Sequence, residues 1–280
     1  MQINKNLKFI IFCFIVFLSF DSHTDDGFSI SAVIETPQVE INGNADDPAI
    51  WFNEVDPSLS IVFGTDKYNG VYSYNLSGDV IGFSKSGSMN NIDLRTLNDN
   101  TYIFTTDSSN NTVNVWVYKN SYLHNKSKEG SFALDKIPHH TSKVNFLAYG
   151  LCGGLSKKDE VIIFVTEAKG PGVQLWKFDD VKLSLLNTFN NSNAYESEGC
   201  VFDDENQKFF ISEENKKGVI RSYSLTNKLL LDNKFRIDDR NGNITGDPEG
   251  LAILKTSKHE GFLIASSQGS STFNIYDRKH

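Results

Sequence analysis

The chain has 280 residues and a formal net charge of −8, with 12% aromatic and 22% charged residues. That acidic balance argues against nucleic acid or an anionic membrane as partner, and against a polyanionic ligand unless cations intervene. Three cysteines are too few for a disulfide scaffold, and their spacing matches no zinc site.

Lys5 and Lys8 precede an apolar run, Phe9–Phe20, and polar residues begin at Asp21. A basic start and a short apolar stretch form the pattern of a secretory signal peptide. The run is short for a membrane span, which takes about 20 apolar residues. Residues 1–22 are therefore expected to be a signal peptide. Residues 23–280 are expected to form one secreted or periplasmic β domain, monomeric and without membrane contact once the leader is gone. Cys13 falls in the leader. Cys152 and Cys200 remain; in an exported protein they could form one disulfide, yet each sits in an apolar strand-like segment where a free buried thiol is common.

Beyond the leader, five segments repeat about every fifty residues, the period of a four-stranded propeller blade. They are Asp46-Asp47-Pro48-Ala49-Ile50-Trp51, Asn90-Asn91-Ile92-Asp93-Leu94, Tyr149-Gly150-Leu151, Glu198-Gly199-Cys200-Val201 and Glu249-Gly250-Leu251-Ala252-Ile253. In the first repeat, Ala49–Phe52, Ile61–Thr65, Val71–Asn75 and Val80–Ser84 read as strands between turn residues. The fourth repeat reads as Cys200–Phe202, Lys208–Ser212, Val219–Ser224 and a weaker run near Phe235. The fifth shows three strands, and a sixth repeat could draw only on residues 28–40. No helical periodicity is visible outside the leader. The expected fold is all-β, a β-propeller of four-stranded blades. Trp51, Trp116 and Trp176 are expected to pack blade against blade. The first strand of each blade lines a propeller's channel, so Asp46, Asp47, Asp93, Tyr149, Glu198 and Glu249 are expected around one mouth. Carboxylates that close together are costly unless a cation neutralises them, which points to a cation site, the alternative being that these acids only cap turns.

The strings Ala45-Asp46-Asp47-Pro48-Ala49-Ile50-Trp51, Asn90-Asn91-Ile92-Asp93-Leu94-Arg95, Asp247-Pro248-Glu249-Gly250-Leu251 and Ala265-Ser266-Ser267-Gln268-Gly269 resemble signature stretches of the β-propeller phytases. Tyr149-Gly150, Ser197-Glu198-Gly199 and Ser212-Glu213-Glu214 fall between them in that family's order. The resemblance runs from about Glu35 to the last residue. It implies a six-bladed fold and an enzyme that removes phosphate from calcium-bound phytate, myo-inositol hexakisphosphate, with several calcium ions at the mouth. It implies Glu35, Asp47, Tyr149, Glu198, Glu214, Asp247 and Glu249 as metal ligands. Lys67 and Lys169 match phosphate-contacting lysines and, with Tyr149 and Glu214, are the expected catalytic groups. Asn91 and Arg95 are expected to join both lysines in binding substrate, while Asp46 and Gln268 support the site. Calcium takes six to eight oxygen ligands, which suits this set. A metal-activated water then needs no histidine or serine nucleophile.

Two departures from the family pattern stand out. Thr106-Asp107-Ser108-Ser109-Asn110-Asn111 holds no arginine where the family has one, and the resemblance implies that about five of six blades are present before His280. Two other classes fit the residues: a calcium-dependent lactonase or esterase propeller, and a non-catalytic binding propeller or inactive fragment.

Overall fold

The computed structural model describes residues 27–39, 43–214, 219–238 and 242–279. The expected signal peptide, residues 1–22, lies outside them. Residues 27–33 belong to a separate N-terminal unit and contain no strand or helix, while residues 34–280 form one compact unit.

Nineteen strands occur among the described residues, in five antiparallel sheets. Blade one comprises β1 (Ala45–Trp51), β2 (Ile61–Asp66), β3 (Gly70–Tyr74) and β4 (Val80–Ser84). Blade two has β5 (Met89–Leu97), β6 (Asn100–Asp107), β7 (Thr112–Lys119) and β8 (His140–Lys143). Blade three has β9 (Ala148–Leu155), β10 (Val161–Glu167), β11 (Gly172–Phe178) and β12 (Leu183–Asn190). Blade four has β13 (Cys200–Asp203), β14 (Lys208–Ser212), β15 (Ile220–Leu225) and β16 (Leu231–Asp238). Blade five has three strands, β17 (Asp247–Lys255), β18 (Gly261–Gln268) and β19 (Thr272–Asp277). Each sheet pairs its strands in sequence order, as hairpins with short turns require, and the result is a β-propeller.

The inner strands β1, β5, β9, β13 and β17 adjoin one another in that order. Apolar side chains that alternate along them fill the spaces between blades. Trp51 and Trp116 share one such core with Phe63, Ile92 and Ile103, while Trp176 packs with Val115 and Ile163 in the next. The expected role of the three indoles is thus what the fold uses them for.

Register sets which end of each strand faces the mouth. Ala45 pairs with Asp66, Met89 with Asp107, Ala148 with Glu167 and Asp247 with Gln268. The start of each inner strand and the turn after the second strand therefore lie at the same end. A hydroxyl fastens this rim from blade to blade. Thr65 Oγ1 donates to the Asn90 carbonyl (2.8 Å), Thr106 Oγ1 to Tyr149 (2.6 Å) and Ser212 Oγ to Glu249 (2.6 Å), and Thr166 does the same for Ser197. The signal was present in sequence as Thr-Asp, Thr-Asp, Thr-Glu and Ser-Glu at the ends of four second strands, and sequence reading missed it.

The glycines of the Tyr-Gly and Glu-Gly motifs have a steric reason. A Cβ on Gly150 would lie 2.0 Å from the Glu198 carbonyl oxygen, and one on Gly199 would lie 1.6 Å from that of Glu249. Only glycine admits so close a backbone approach.

Two features differ from expectation or settle it. A short helix, α1 (Asn120–Lys128), follows β7 and buries only Leu123 and Ser127, whose Oγ donates to the Leu59 carbonyl at 2.7 Å. One buried apolar residue in nine leaves no periodicity to read. Cys152 and Cys200 form a disulfide that joins β9 to β13.

Candidate metal and phosphate site

The first strand starts bring together a compact group of side chains. Glu198, Glu214 and Glu249 each offer a carboxylate oxygen, and the three oxygens lie within 4.8 Å of one another. The Tyr149 hydroxyl stands 3.0 Å from Glu198 Oε2 and 2.9 Å from Glu214 Oε2. Glu198 Oε1 accepts from Asn90 Nδ2 at 3.1 Å and from Lys67 Nζ at 3.4 Å. Lys67 is also paired with Asp46 Oδ1 at 3.0 Å and stands 5.6 Å from the Tyr149 ring centroid. A cleft of about 350 Å³ opens below, lined by Asp46, Asn91, Leu151, Glu198, Glu249 and Phe273 among others.

Five carboxylates, those of Asp46, Asp47, Glu198, Glu214 and Glu249, share this mouth with the Lys67 ammonium. Burial, then the charge of Glu198, raises Asp46 to about 6 against the pull of Lys67. Burial raises Asp47 to about 8 although the Ile92 amide opposes it. Glu249 rises to about 7 through burial and then through Glu198 and Asp46. Glu214 rises for the same reasons, burial first and Glu198 second. The Tyr149 hydroxyl is also pushed up, by burial and then by Glu198 and Glu214. For Lys67 burial works against the charged form, but Glu198 and Asp46 outweigh it and raise its pKa.

The donor set fits a hard divalent cation. All its ligating atoms are oxygens, as calcium prefers. Among the described residues, the buried Asp46 Oδ2 has no hydrogen-bond partner, an orphan that a cation or its water would satisfy. Opposite charge within about 4–6 Å is also what restores a raised carboxyl to its ionised form.

The other expected residues are distributed more widely. Asp47 faces the neighbouring strand, where its Oδ2 accepts the Ile92 amide at 3.0 Å. Asn91 is buried beside the cluster and accepts from Asn90 Nδ2 at 2.7 Å. Asp247 opens β17 two residues before Glu249, opposite Gln268. Lys169 occupies an exposed left-handed position (φ 59°) in the β10–β11 turn, on the mouth rim but outside the hydrogen-bonded cluster.

Three expectations are corrected. Arg95 does not face the mouth. Its Nε donates to Asp204 Oδ2 at 3.0 Å, its Nη1 to Asp93 at 3.1 Å and its Nη2 to the Phe202 carbonyl at 3.0 Å. Asp204 follows β13, at the far end of the channel, so Arg95 and Asp93 tie blades together there. Asp93 accordingly leaves the mouth acids as well. Glu35 is exposed, and its carbonyl lies against Gly78 in the β3–β4 turn, where a Cβ would come within 2.8 Å. That turn is at the end of blade one opposite to the mouth, because β3 begins at the rim and runs away from it. Sequence reading, conversely, underrated Asp46 and Asn90, which touch Lys67 and Glu198 directly.

The Phytase family model matches residues 10–280. A 3-phytase from Bacillus subtilis is 27% identical over 268 residues, covering 90% of this chain and 67% of the relative. Among solved structures, a gluconolactonase from Xanthomonas campestris superposes with a TM-score of 0.52 at 10% identity, covering 84% of this chain and 73% of that one. A Bacteroides fragilis protein described as a 6-phosphogluconolactonase candidate gives a TM-score of 0.52 at 11% identity, covering 82% and 79%. At such identities the two structures share the fold and nothing finer.

Proposed function

We propose that this chain, which belongs to the phytase family, releases phosphate from phytate at a calcium site built on Glu198, Glu214, Glu249 and Tyr149. It is a phosphoric monoester hydrolase by its family, and the proposal concerns its substrate, its metal and the residues that carry the reaction. The observation that supports it is the placement of one phenol between two carboxylates, with a third carboxylate within 4.8 Å.

Calcium bound there would draw phosphate oxygens to an otherwise repulsive mouth and lower the pKa of a water it holds. The chain's own groups act around that centre. Asn90 and Lys67 hold the Glu198 carboxylate by its Oε1, which leaves Oε2 toward Tyr149 and Glu214. Lys67 offers a phosphate oxygen an ammonium whose present partners, Asp46 and Glu198, are both carboxylates of the site. Charge of this kind stabilises the equatorial oxygens as phosphorus is attacked in line. Lys169, on the same rim, is proposed as a second contact to substrate. Buried Asn91 and Leu151 line the cleft beside the carboxylates, and charge interactions next to such low-dielectric walls are stronger than in open water.

Export of the protein is part of the proposal and rests on residues 1–22, with the Cys152–Cys200 disulfide in keeping with an oxidising compartment. The deciding test is phosphate release from calcium phytate by the full chain, with and without a chelator, beside Glu198→Gln. The expected result is release that the chelator abolishes and the variant reduces at least a hundredfold. Chelator-insensitive release, or none from a folded chain, would overturn the reading.

A further inference from the structure

The four groups of the acidic cluster are not held alike. Tyr149 and Glu249 belong to β9 and β17, whose ladders fix where their side chains point. Glu198 lies in the irregular segment between β12 and β13, and Glu214 follows the end of β14. Outside a ladder, backbone groups must find other partners. Here the two stretches bond to one another: the Glu214 amide donates to the Glu196 carbonyl at 3.0 Å, and the Ser212 amide to the Gly199 carbonyl at 2.8 Å.

Behind both stretches runs a buried side-chain bridge with Asn191 as its hub. Asn191 has no exposed surface, its amide donates to the Pro171 carbonyl at 2.7 Å, and its carbonyl accepts from the Ala194 amide at 3.0 Å. Its Nδ2 donates to Ser197 Oγ at 2.9 Å, and Ser197, also buried, immediately precedes Glu198. Its Oδ1 accepts from the Tyr223 hydroxyl at 3.0 Å and, at 3.5 Å, from Arg221 Nη1. The same Nη1 donates to Glu213 Oε2 at 3.1 Å, and Glu213 immediately precedes Glu214. Arg221 and Tyr223 stand two apart on β15, so both reach the same side of blade four. The bridge from Ser197 through Asn191 and Arg221 to Glu213 thus stops one residue short of a proposed metal ligand at either end.

An enclosed network whose polar atoms are paired is rigid. Rigidity matters at this point because Glu198 and Glu214 carry like charge and sit on irregular backbone, which would otherwise let them part. Removing a group that orients the ligands of a metal site costs about ten- to a hundredfold in affinity.

We propose that Asn191 and Arg221 are positioning residues for the metal site. Acting through Ser197 and Glu213, they fix the separation of Glu198 and Glu214 and so set the affinity for calcium. The inference rests on the calcium reading for the ion that reports it, while the bridge is built from the chain's own groups alone.

The test reads metal binding apart from turnover. The full chain, stripped of metal, is titrated with calcium by calorimetry at a temperature where every variant is folded. Asn191→Ala removes the hub, Ser197→Ala only its bond toward Glu198, and Arg221→Met the arm toward Glu213. Asn191→Ala and Arg221→Met should each bind calcium roughly tenfold more weakly, and Ser197→Ala less so. Adding Ser197→Ala to Asn191→Ala should weaken binding no further, because both delete one shared link. Arg221→Lys, which keeps a charge for Glu213, should recover part of the loss. The calcium concentration that half-activates phosphate release should rise by the same factors, while the rate at saturating calcium returns close to that of the wild type. Arg95→Gln, altered at the far end of the channel, controls for lost stability and should bind calcium as the wild type does. Should Asn191→Ala not fold, Ser197→Ala and Arg221→Met decide the matter. Wild-type affinity in either of those two, or equal weakening in Arg95→Gln, would overturn the bridge and leave the calcium reading standing. A wild-type chain that binds no calcium would overturn the calcium reading and the inference with it.

Discussion

The Tyr149 hydroxyl lies 3.0 Å from Glu198 Oε2, across the boundary between blades three and four, and it is shared with a second carboxylate, Glu214, at 2.9 Å. A phenol has one proton to donate. Two ionised carboxylates cannot both be satisfied by it, so the cluster calls for either an added proton or a cation. The choice between those two is set by pH and by metal, and the consequences are measurable.

Without metal, stability should fall as pH rises from about 5 to 8. Asp46, Glu249 and Asp47 ionise near 4 when unfolded and at about 6, 7 and 8 when folded. A carboxyl with a raised folded pKa contributes fully below its unfolded value, and that contribution is lost as pH climbs through the folded one. Thermal unfolding in a chelator should therefore show Tm decreasing over this range, and calcium should remove the decrease. Asp47→Asn, which keeps the acceptor for the Ile92 amide but never ionises, should raise the chelated protein's Tm at pH 8. A chelated wild type equally stable at pH 5 and 8 would contradict the account.

Tyr149→Phe removes one oxygen from the cluster and leaves the ring in place. The calcium concentration that half-activates phosphate release should rise roughly ten- to a hundredfold, the usual effect of losing a group that supports metal ligands. Titrating activity against free calcium in both proteins checks this. An unchanged midpoint would remove Tyr149 from the site.

Arg95 belongs to the far end of the channel, so Arg95→Gln should act on stability and not on substrate. Its side chain is mostly buried between Asp93 and Asp204. Removing one partner from such a group costs about 3 kcal/mol or more. Denaturant unfolding should show that loss while KM for phytate stays within about twofold. A raised KM with unchanged stability would instead restore Arg95 to substrate binding.

The Cys152–Cys200 bridge closes a loop across a sequence separation of 48 residues. Chain entropy assigns such a crosslink about 4 kcal/mol. Reduction, or Cys152→Ser/Cys200→Ser, should lower Tm by roughly 10 °C. Calcium affinity should fall with it, because Cys200 lies two residues beyond Glu198 on the same strand start.

Arg278 closes the last hairpin against blade four. It is fully buried, bonds both oxygens of buried Asp203 and reaches Glu205 Oε2 at 2.6 Å. Arg278→Met should cost about 3–5 kcal/mol because Asp203 is left charged and enclosed. Adding Asp203→Asn should recover part of that loss. Urea denaturation of the single and double variants measures both, and equal stability of all three proteins would show the pair to be idle.

Much of the architecture can be read from the chain alone. The strands of blades one and four fall almost where alternation and turn residues put them, because strand formation depends on neighbours two residues apart and on Gly, Asn and Asp at the turns. The shared phase of Asp46, Tyr149, Glu198 and Glu249 was legible for the same reason. One residue position per blade, repeated every fifty residues, must face the same mouth.

What tertiary structure decided is which of those residues meet. Asn90 and Glu198 are 108 positions apart and Lys67 and Glu198 are 131, so their contact depends on how successive blades are rotated and fastened, not on any local pattern. Arg95 shares a motif with Asn91 yet faces the opposite end, since four residues of extended strand carry it roughly 13 Å away from the rim. The Cys152–Cys200 pairing was undetermined for the same reason, and Glu35, expected among the metal ligands, lies against the β3–β4 turn at the other end of blade one. Sequence sets the repeat and the chemistry carried by each strand start, whereas packing between blades selects the neighbours, and with them each group's charge and role.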